Sequence, residues 1–282
     1  MSRRTHRQPL PRPFLKWAGG KTQLLEELRQ QVLRAGRFGR YHEPFVGGGA
    51  LFFDLFRSGR LGRSKAYLSD NNDSLIQAYL GVQQNPVQVI ALLRAHEQAH
   101  NHDYFYQMRA HIPSDPVARA ARIIYLNKTC YNGLFRENSR GEFNVPIGRY
   151  KSPVVCDEKN LRAVAEALKK AKIEQRPFTK VLNHARQGDF VYFDPPYHPV
   201  SKTASFTAYD KAGFGESQQR DLARVFTELD RRGVKVLLSN SMTDFVRELY
   251  ADFSLSTVMA KRSVNSRADR RGAVAEALVR NF

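Results

Sequence analysis

The stretch Gly188-Asp-Phe-Val-Tyr-Phe-Asp-Pro-Pro-Tyr197 decides the fold, because it predicts a buried strand and also the residue at which that strand ends. Its Val-Tyr-Phe run, at 191–193, is the short β-branched and aromatic run that is typical of a strand covered on both faces. Proline lacks an N–H and fixes φ, so the two prolines cannot extend a hydrogen-bonded ladder. The stretch therefore predicts Asp194 and Tyr197 at the carboxyl end of a strand, where open α/β sheets bind ligands.

Asp194, Pro195, Pro196 and Tyr197, which we call the Asp-Pro-Pro-Tyr corner, offer catalytic groups that suit a planar amino group. The exocyclic nitrogen of adenine is a poor nucleophile because its lone pair is delocalised into the ring. The Asp194 carboxylate and the Pro195 carbonyl can accept its two hydrogens and favour a tetrahedral nitrogen, while Tyr197 stacks on the base. The alternative for the tetrapeptide alone is a Pro-Pro turn with a solvated aspartate.

The net charge indicates the class of partner. Lys and Arg number 45 against 27 Asp and Glu, which gives +18 over 282 residues. Such an excess favours a polyanion, with a basic surface that binds no nucleic acid as the alternative. No apolar run approaches the ~20 residues of a membrane span, and the basic N-terminus lacks the apolar core of a signal peptide, so we expect a soluble, cytoplasmic chain. Cys130 and Cys156 have no metal-ligand or redox spacing and are expected to be reduced, inert thiols.

A glycine turn and a spaced acid predict a site for a nucleoside cofactor without phosphates. The segment Tyr41–Phe53 has the pattern of a strand, a turn at 47–49 made of three glycines, and an apolar helix start. About twenty residues further on, 65–70 predict a second strand that ends in Asp70, where a carboxylate can bind the hydroxyls of a ribose. A Gly-Lys-Thr sequence at 20–22 does not complete a phosphate-binding P-loop, because that motif needs a glycine where this chain has Leu15.

Residues 73–156 have a polar, helical texture broken by prolines, and we interpret them as an inserted domain. They contain His96-Glu-Gln-Ala-His100, which matches the H-E-x-x-H pattern of zinc proteases. A catalytic zinc needs a third protein ligand, and none follows at the usual spacings, so a solvated polar helix face is favoured. Residues 127–151 interleave basic and aromatic side chains with tight turns, which predicts a hairpin that faces nucleic acid, with a merely exposed hairpin as the alternative.

The remaining segments predict the surroundings of the corner. Residues 201–214 are rich in Ser, Thr, Gly and Lys and predict a mobile lid. An amphipathic helix and a buried strand at 234–240 follow. Two strand-like runs flank the basic turn 262–271 and predict a terminal hairpin. Residues 1–13 have the composition of a basic flexible arm.

Six blocks of sequence, in this order, resemble the Dam-type DNA adenine-N6 methyltransferases of the D12 class. They are Phe-Leu-Lys-Trp-Ala-Gly-Gly-Lys (14–21), Glu-Pro-Phe-Val-Gly-Gly-Gly (43–49), Ser-Asp-Asn-Asn (69–72), Tyr-Asn-Gly-Leu-Phe-Arg (131–136), Arg-Gly-Glu-Phe-Asn-Val-Pro-Ile-Gly-Arg-Tyr (140–150) and Asp-Pro-Pro-Tyr (194–197). Six blocks in the family's alpha-class order are far more specific than the tetrapeptide alone. Members often carry an acidic or Asp-Phe pair some ten residues before the corner, where this chain has Val-Leu-Asn183-His184.

The resemblance implies a Rossmann-like α/β methyltransferase core, mainly a parallel sheet with a C-terminal antiparallel hairpin, and an inserted, mainly helical DNA-recognition domain. It implies methyl transfer from S-adenosyl-L-methionine to N6 of a flipped adenine in double-stranded DNA, within GATC or a related site, without a metal. The cofactor-binding residues that it implies are Trp17, Lys21, Phe45, Gly47, Gly49, Asp70 and Asp194. The predicted DNA-binding residues are Lys16, Tyr131, Asn132, Leu134, Arg136, Arg140 and Arg149.

We therefore predict a catalytic domain of residues 14–72 plus 157–282, with residues 73–156 as the inserted recognition domain. The enzyme is expected to act as a monomer in a bacterial or phage setting, such as restriction-modification or replication control. Direct displacement needs no covalent intermediate, so neither cysteine should act. Two rival classes are a nucleic-acid-binding module without chemistry, and an RNA or protein-glutamine methyltransferase with a related Asn-Pro-Pro-Tyr corner. Aspartate rather than asparagine at position 194 favours adenine in DNA.

Overall fold

The structure is a computed structural model that describes residues 10–17, 19–138, 140–200, 214–261 and 273–282. The predicted lid, apart from its last residue, lies outside this range, as do the predicted basic turn and the first nine residues of the predicted arm. None of the described helices combines the length and the apolar composition that crossing a bilayer requires.

Helices and strands alternate along much of the described chain. The helices are α1 (Leu25–Ala35), α2 (Ala50–Arg57), α3 (Asp73–Gln84), α4 (Pro86–Ala99), α5 (His102–Ala110), α6 (Pro116–Thr129), α7 (Glu158–Leu168), α8 (Glu216–Arg231) and α9 (Asp244–Leu249). The strands are β1 (Tyr41–Glu43), β2 (Ala66–Asp70), β3 (Ala171–Gln175), β4 (Phe190–Phe193), β5 (Lys235–Ser241), β6 (Ser254–Lys261) and β7 (Ala273–Arg280). Short 3₁₀ helices occupy Lys21–Leu24, Tyr131–Gly133 and Phe178–Asn183.

The described strands form one sheet in the order β3-β2-β1-β4-β5-β7-β6. β1 pairs with β2 and with β4, and β4 pairs with β5, all in parallel. β7 pairs antiparallel with both β5 and β6. The predicted fold class, a mainly parallel sheet with a C-terminal antiparallel hairpin, is confirmed. Strand order changes direction at the β1–β4 pair, and such a switch point is where open α/β sheets bind ligands.

The chain forms two compact units. The first comprises residues 1–21, 47–62 and 72–173, and contains α2 to α7. The second comprises residues 22–46, 63–71 and 174–282, and contains α1, α8, α9 and every strand except the start of β3. This grouping is distinct from the predicted catalytic and recognition domains, whose boundaries stay a prediction.

The core of the second unit is built around β4, the strand that precedes the corner. All four residues of β4 are buried. The apolar stripe of α8, which includes Leu222, Phe226 and Leu229, packs in one cluster with residues of β4 and β5. Each fully buried side chain of this size contributes about 1.5–3 kcal/mol relative to an exposed one. This packing fixes the strand from which the corner emerges.

The first unit is a helical packing in which α3, α5, α6 and α7 each begin at a polar side-chain cap. Asn72 accepts a 2.9 Å hydrogen bond from the backbone N–H of Leu75 at the start of α3. Asp115 accepts one of 2.7 Å from Ala118 at the start of α6. Such caps are worth about 1 kcal/mol each, because they satisfy N–H groups that have no partner within the helix. The predicted helical character of the insert is confirmed.

A buried carboxylate joins the amino ends of β1 and β4. Asp189 accepts hydrogen bonds from Arg40 Nε at 3.0 Å and from the backbone N–H of Arg186 at 2.9 Å, and its Oδ2 lies 3.0 Å from His42 Nε2. Burial alone would raise the pKa of Asp189. The hydrogen-bond donors have the larger combined effect, and the pKa is lowered to about 2. The charged form of Asp189 is therefore part of the folded state.

The pH dependence of unfolding tests how much the Asp189 carboxylate and its hydrogen-bond donors stabilise the fold. The folded pKa of Asp189, about 2, lies below that of the unfolded chain, so its contribution to stability is fully present above ~3.9 and is lost as pH falls towards the folded value. We expect Asp189→Asn to lower the free energy of unfolding by about 3 kcal/mol near neutral pH, because Arg40 and His42 lose their charged acceptor. Urea denaturation should show that the difference in free energy of unfolding between wild type and Asp189→Asn becomes smaller below about pH 4. An unchanged difference at low pH would mean that the carboxylate charge does not stabilise the cluster.

Candidate functional site

The Asp-Pro-Pro-Tyr corner begins directly after β4. Asp194 and Tyr197 are half-buried and Pro195 is buried. The hydroxyl of Tyr197 donates a 2.8 Å hydrogen bond to Oε2 of Glu276 on β7. Burial, and next the charge of Asp194, raises the pKa of Tyr197 well above its usual value, so the phenol stays neutral. The ring is held at its tip, and its flat face suits stacking.

Two buried tyrosines, Tyr41 and Tyr192, lie near the acids Glu43 and Asp194. Tyr41 donates a 2.8 Å hydrogen bond to Oε2 of Glu43, and the Tyr192 hydroxyl lies 2.8 Å from Oγ of Ser239. Burial is the main cause that raises the pKa of both phenols, and the charge of Asp194 raises it further. Glu43 is a buried acid that the sequence analysis did not single out, although it ends β1 inside a motif.

Aromatic rings lie at the same edge. The ring of Phe45 follows β1 and is centred 5.4 Å from Phe178 and 5.5 Å from Phe214. Asp70 ends β2, and its backbone carbonyl accepts a 3.0 Å hydrogen bond from the N–H of Arg176. Because β2, β1 and β4 are parallel neighbours, the structure brings Phe45, Asp70 and the corner to one edge of the sheet. Phe178 was missed by the sequence analysis, and it lies near the segment that departs from the family pattern.

The glycine turn in the first unit leaves no room for side chains. Gly47 and Gly49 have φ values of 45° and 65°, and Gly49 is the N-cap of α2. A Cβ on Gly47 would lie 2.8 Å from Cδ1 of Trp17, and one on Gly49 would lie 2.7 Å from the hydroxyl of Tyr79. That hydroxyl donates a 3.0 Å hydrogen bond to the Gly47 carbonyl. The turn thus requires glycine for its backbone and for the space around it.

The two other predicted cofactor residues of the first unit lie on the chain segment before this turn. The Trp17 indole that packs on Gly47 also stacks on Phe135, with ring centroids 5.5 Å apart. Lys21 is buried, and its Nζ donates a 2.6 Å hydrogen bond to the carbonyl of Gly19. The structure therefore brings Trp17 together with the glycine turn and with a ring from the segment that follows α6.

Residues 131–150, which we call the recognition hairpin, follow α6 and are held by antiparallel bridges rather than by long strands. Asn132 has φ 54° and ψ 17°, and it is the only non-glycine with positive φ in the part of the chain that the structure describes. Asparagine tolerates this left-handed conformation better than most residues. The turn leaves Tyr131 44% exposed and Leu134 half-buried.

Arginines occupy both arms of the recognition hairpin. Arg136 Nε donates a 2.6 Å hydrogen bond to Oδ1 of Asn144, and its Nη2 donates to the Asn144 carbonyl at 3.3 Å. A guanidinium has five N–H groups, so these two bonds orient it without using all its donors. Arg140 and Arg149 are exposed. Asn144, which orients Arg136, was not identified from sequence.

Lys16 is joined to the recognition hairpin through a buried amide. Asn127 accepts a 2.7 Å hydrogen bond from the Lys16 N–H and donates bonds to the carbonyls of Lys16 (2.7 Å) and Gly133 (3.1 Å). The Nζ of Lys16 lies 4.0 Å from the centre of the Tyr150 ring. Lys16 and the hairpin, predicted separately, therefore belong to one cluster. No sequence pattern identifies Asn127 as the residue that joins them, apart from its position shortly before the Tyr-Asn-Gly turn.

Comparison with known proteins decides the family. The family of D12 class N6 adenine-specific DNA methyltransferases matches residues 17–264. The chain belongs to this family. It is 41% identical to the type II methyltransferase M.MjaIII of Methanocaldococcus jannaschii, over 96% of this chain and 99% of that protein. It is 38% identical to a DNA adenine methylase of Serratia marcescens, over 95% and 97% of the two chains. The DNA adenine methylase of Escherichia coli K12 is 36% identical, over 95% and 94%.

Membership of this family makes the protein an adenine-specific DNA methyltransferase.

The H-E-x-x-H pattern at residues 96–100 differs from the solvated helix face that the sequence predicted. The expectation of a solvated face is wrong for His96, which is only 7% exposed, whereas Glu97 and Gln98 are exposed as expected. The Nδ1 of His96 lies 2.6 Å from the Tyr104 hydroxyl, and the His96 ring is centred 5.1 Å from that of Tyr125. Burial lowers the pKa of His96, which therefore packs as a neutral ring in the first unit. In the residues that the structure describes, no three His, Cys, Asp or Glu side chains are grouped to hold a metal ion.

The cysteines of this methyltransferase are poor nucleophiles. Burial raises the pKa of Cys130 to about 12 and also raises that of Cys156. The thiolate is the reactive form, so Cys130 is unreactive near neutral pH. This agrees with the expectation of inert thiols.

We expect Gly47→Ala to displace the Trp17 indole, because the added methyl group would lie 2.8 Å from the ring. Trp17 is the chain's only tryptophan, so its emission spectrum reports on this turn. Gly59→Ala is the matched control, since Gly59 has φ 72° and a Cβ there meets nothing within 4 Å. Both changes place alanine in a left-handed conformation at a cost of about 1–2 kcal/mol. Only Gly47→Ala should shift the emission, and identical spectra would show that the turn accepts a side chain.

Proposed function

We propose that this enzyme transfers the methyl group of S-adenosyl-L-methionine to N6 of an adenine that it flips out of double-stranded DNA. The observation that carries the proposal is the Asp-Pro-Pro-Tyr corner at the carboxyl end of β4, where the neutral, anchored ring of Tyr197 lies close to the charge of Asp194. Extruding a base from a duplex costs a few kcal/mol. Stacking on an aromatic ring returns about 1–3 kcal/mol for each base.

The corner activates the amino group by accepting its hydrogens. The Asp194 carboxylate and the Pro195 carbonyl are the two acceptors, and together they favour a tetrahedral nitrogen with an available lone pair. The nitrogen must lose one proton after it is methylated, and Asp194 is the carboxylate placed to receive it. Holding the base in line for attack supplies the rest of the rate enhancement, up to ~7–11 kcal/mol in favourable cases.

The residues present fit S-adenosyl-L-methionine, which supplies an electrophilic methyl group when bound. In the second unit, Asp70 ends β2, where a carboxylate can accept hydrogen bonds from ribose hydroxyls. Phe45 and Phe178 offer a stacked aromatic surface to an adenine ring. In the first unit, the glycine turn exposes backbone where a Cβ would not fit, which supports the predicted role of Trp17 and the glycines at the methionine portion.

For DNA recognition we propose that the recognition hairpin reads a GATC or closely related site. Arg136 is oriented by Asn144 for a bidentate contact with a guanine edge, which is the commonest specific contact of arginine with bases. Tyr131, Asn132 and Leu134 lie at the turn that follows α6, and we propose that they enter an opened base stack. Exposed Arg140 and Arg149 are proposed to bind phosphates, as the net charge of +18 favours. The predicted monomeric state, independence of metal ions and cytoplasmic location stay predictions.

Transfer of label from tritiated S-adenosyl-L-methionine tests the function. We expect label in duplex DNA and none in RNA or protein offered in parallel. Asp194→Ala should lower the rate about 10²–10⁴-fold, because one acceptor of the amino group is lost. DNA binding by that variant should stay within a few-fold of wild type. Label found only in RNA or protein would overturn the substrate, and binding of DNA without any transfer would indicate a module without chemistry.

Arg136→Ala should relax one base position of the recognised site. Its loss removes a contact worth about 1–3 kcal/mol of discrimination, so methylation should spread to sites that differ at that position. Arg140→Ala is the control, and it should weaken binding to all sequences alike and reduce the salt dependence of log K by about one unit. Single-molecule sequencing of methylated DNA measures the first effect. An unchanged site preference in Arg136→Ala would remove Arg136 from base recognition.

A further inference from the structure

The backbone on each side of Tyr197 is held by side chains from distant parts of the second unit. The carbonyl of Pro196 accepts a 2.8 Å hydrogen bond from Nε2 of Gln219 on α8. The N–H of His198 donates a 3.0 Å hydrogen bond to Oδ1 of Asn240 on β5. Both peptide groups lie beyond the end of β4, where strand pairing no longer satisfies them.

The two amides are joined to each other and are fully buried. Asn240 Nδ2 donates a 3.0 Å hydrogen bond to Oε1 of Gln219, and Asn240 Oδ1 also accepts from the N–H of Ser241 at 2.8 Å. Gln219 is 1% exposed and Asn240 is 0% exposed. Fully buried amides of this kind are costly unless their donors and acceptors are used, and here both oxygens and both nitrogens have a partner.

The donor and acceptor roles in these hydrogen bonds allow only one orientation of each side-chain amide. The oxygen of Asn240 is fixed by two N–H donors, which leaves its nitrogen to face Gln219. The oxygen of Gln219 then accepts from Asn240, so its nitrogen must face the Pro196 carbonyl. A flipped amide at either position would place two donors or two acceptors against each other. The pair is thus a rigid link from β5 and α8 to the corner.

We propose that Gln219 and Asn240 form an amide clamp that positions Tyr197 for catalysis, an inference that rests on the proposed function. The clamp fixes the peptide groups before and after Tyr197, while Glu276 holds the hydroxyl at the tip of its ring. Three hydrogen bonds from three elements therefore fix the position and the long axis of the ring. Gln219 and Asn240 are positioning residues, since both act through the Tyr197 segment rather than on the base.

The alternative is that the amides only stabilise the fold, and a matched pair of variants separates the two roles. Gln219→Met keeps the length of the side chain but removes the donor to Pro196. Gln218→Met makes the same change one residue earlier on α8, where the side chain accepts a 3.0 Å hydrogen bond from the Gly215 N–H and caps the helix. Gln219→Met loses the hydrogen bond to Pro196 and also the one from Asn240, which together make up the clamp. Gln218→Met loses one hydrogen bond on the same helix that does not reach the corner.

The experiment is a single-turnover measurement of methyl transfer with DNA and S-adenosyl-L-methionine both saturating. We expect Gln219→Met to lower the rate about 10–100-fold, since misplacing a reacting group by about 1 Å costs of that order. Gln218→Met should stay within a few-fold of wild type. A duplex with 2-aminopurine at the target position should still show base extrusion in Gln219→Met, but with altered quenching by the Tyr197 ring. Equal rates for the two variants would overturn the clamp.

Asn240→Asp tests the clamp from its other member, and urea denaturation of each variant shows whether it is folded under the assay conditions. Asn240→Asp retains the size of the side chain and the acceptor for His198 and Ser241. It replaces the donor to Gln219 with a carboxylate oxygen at a fully buried position, so two acceptors face each other. We expect a rate loss like that of Gln219→Met, and the double variant should lose no more than the worse single variant, because the two amides act as one unit. Full additivity in the double variant would contradict the proposal.

The outcomes also distinguish this inference from the proposed function. If the wild-type protein transfers no methyl group to DNA, the proposed function fails whatever the variants do. If wild type is active and Gln219→Met and Asn240→Asp are as active as Gln218→Met, only the amide clamp fails.

Discussion

The missing N–H groups of Pro195 and Pro196 are the constraint on which the rest of the site depends. They end the pairing of β4 at the switch point of the sheet, so an acid and an aromatic ring stand at the edge where such sheets bind ligands. The same feature creates a difficulty, because the peptide groups that follow have lost the strand partners that would fix them. Side chains from α8 and β5 take over that function, and a side chain from β7 holds the hydroxyl of Tyr197. Activity in this enzyme is thus tied to elements that never touch the reacting atoms.

The parts of the fold that sequence predicted are those with a local cause. Prolines end β4, the left-handed backbone at Gly47 requires glycine, and alternation of apolar runs with turns predicts the terminal antiparallel strands. The parts that it missed depend on residues far apart in the chain. Asn127 bonds to Lys16 across 111 positions, and no local pattern marks that pairing. His96 was misjudged for a related reason, because a polar residue in a polar helix is buried here by a tyrosine from another helix.

Charge and geometry contribute differently to recognition of DNA by this family member. An excess of 18 positive charges attracts any nucleic acid, and its effect weakens with salt. In the recognition hairpin, for which we propose base recognition, the groups are instead held in fixed orientations, with a left-handed Asn132 in the turn after α6 and an Asn144 that aligns Arg136. Backbone strain of this kind persists where surrounding structure enforces it, and it is common at binding sites. Under the proposed function, affinity can be altered at many surface positions, whereas selectivity depends on a few residues and on the side chains that orient them.

The division of the chain into two units has a consequence for how the protein is made. The polypeptide passes from one unit to the other five times. Neither unit is one continuous segment, so neither can be excised by cutting the chain once. During synthesis the last residue of the first unit, Ile173, emerges before β4, β5, β6 and β7 exist, while β1 and β2 have already been made. Those two early strands must wait for their neighbours, and contacts over such long separations form slowly. A ribosome that pauses once residue 173 has left its exit tunnel would therefore carry all the helices of the first unit and an unfinished sheet.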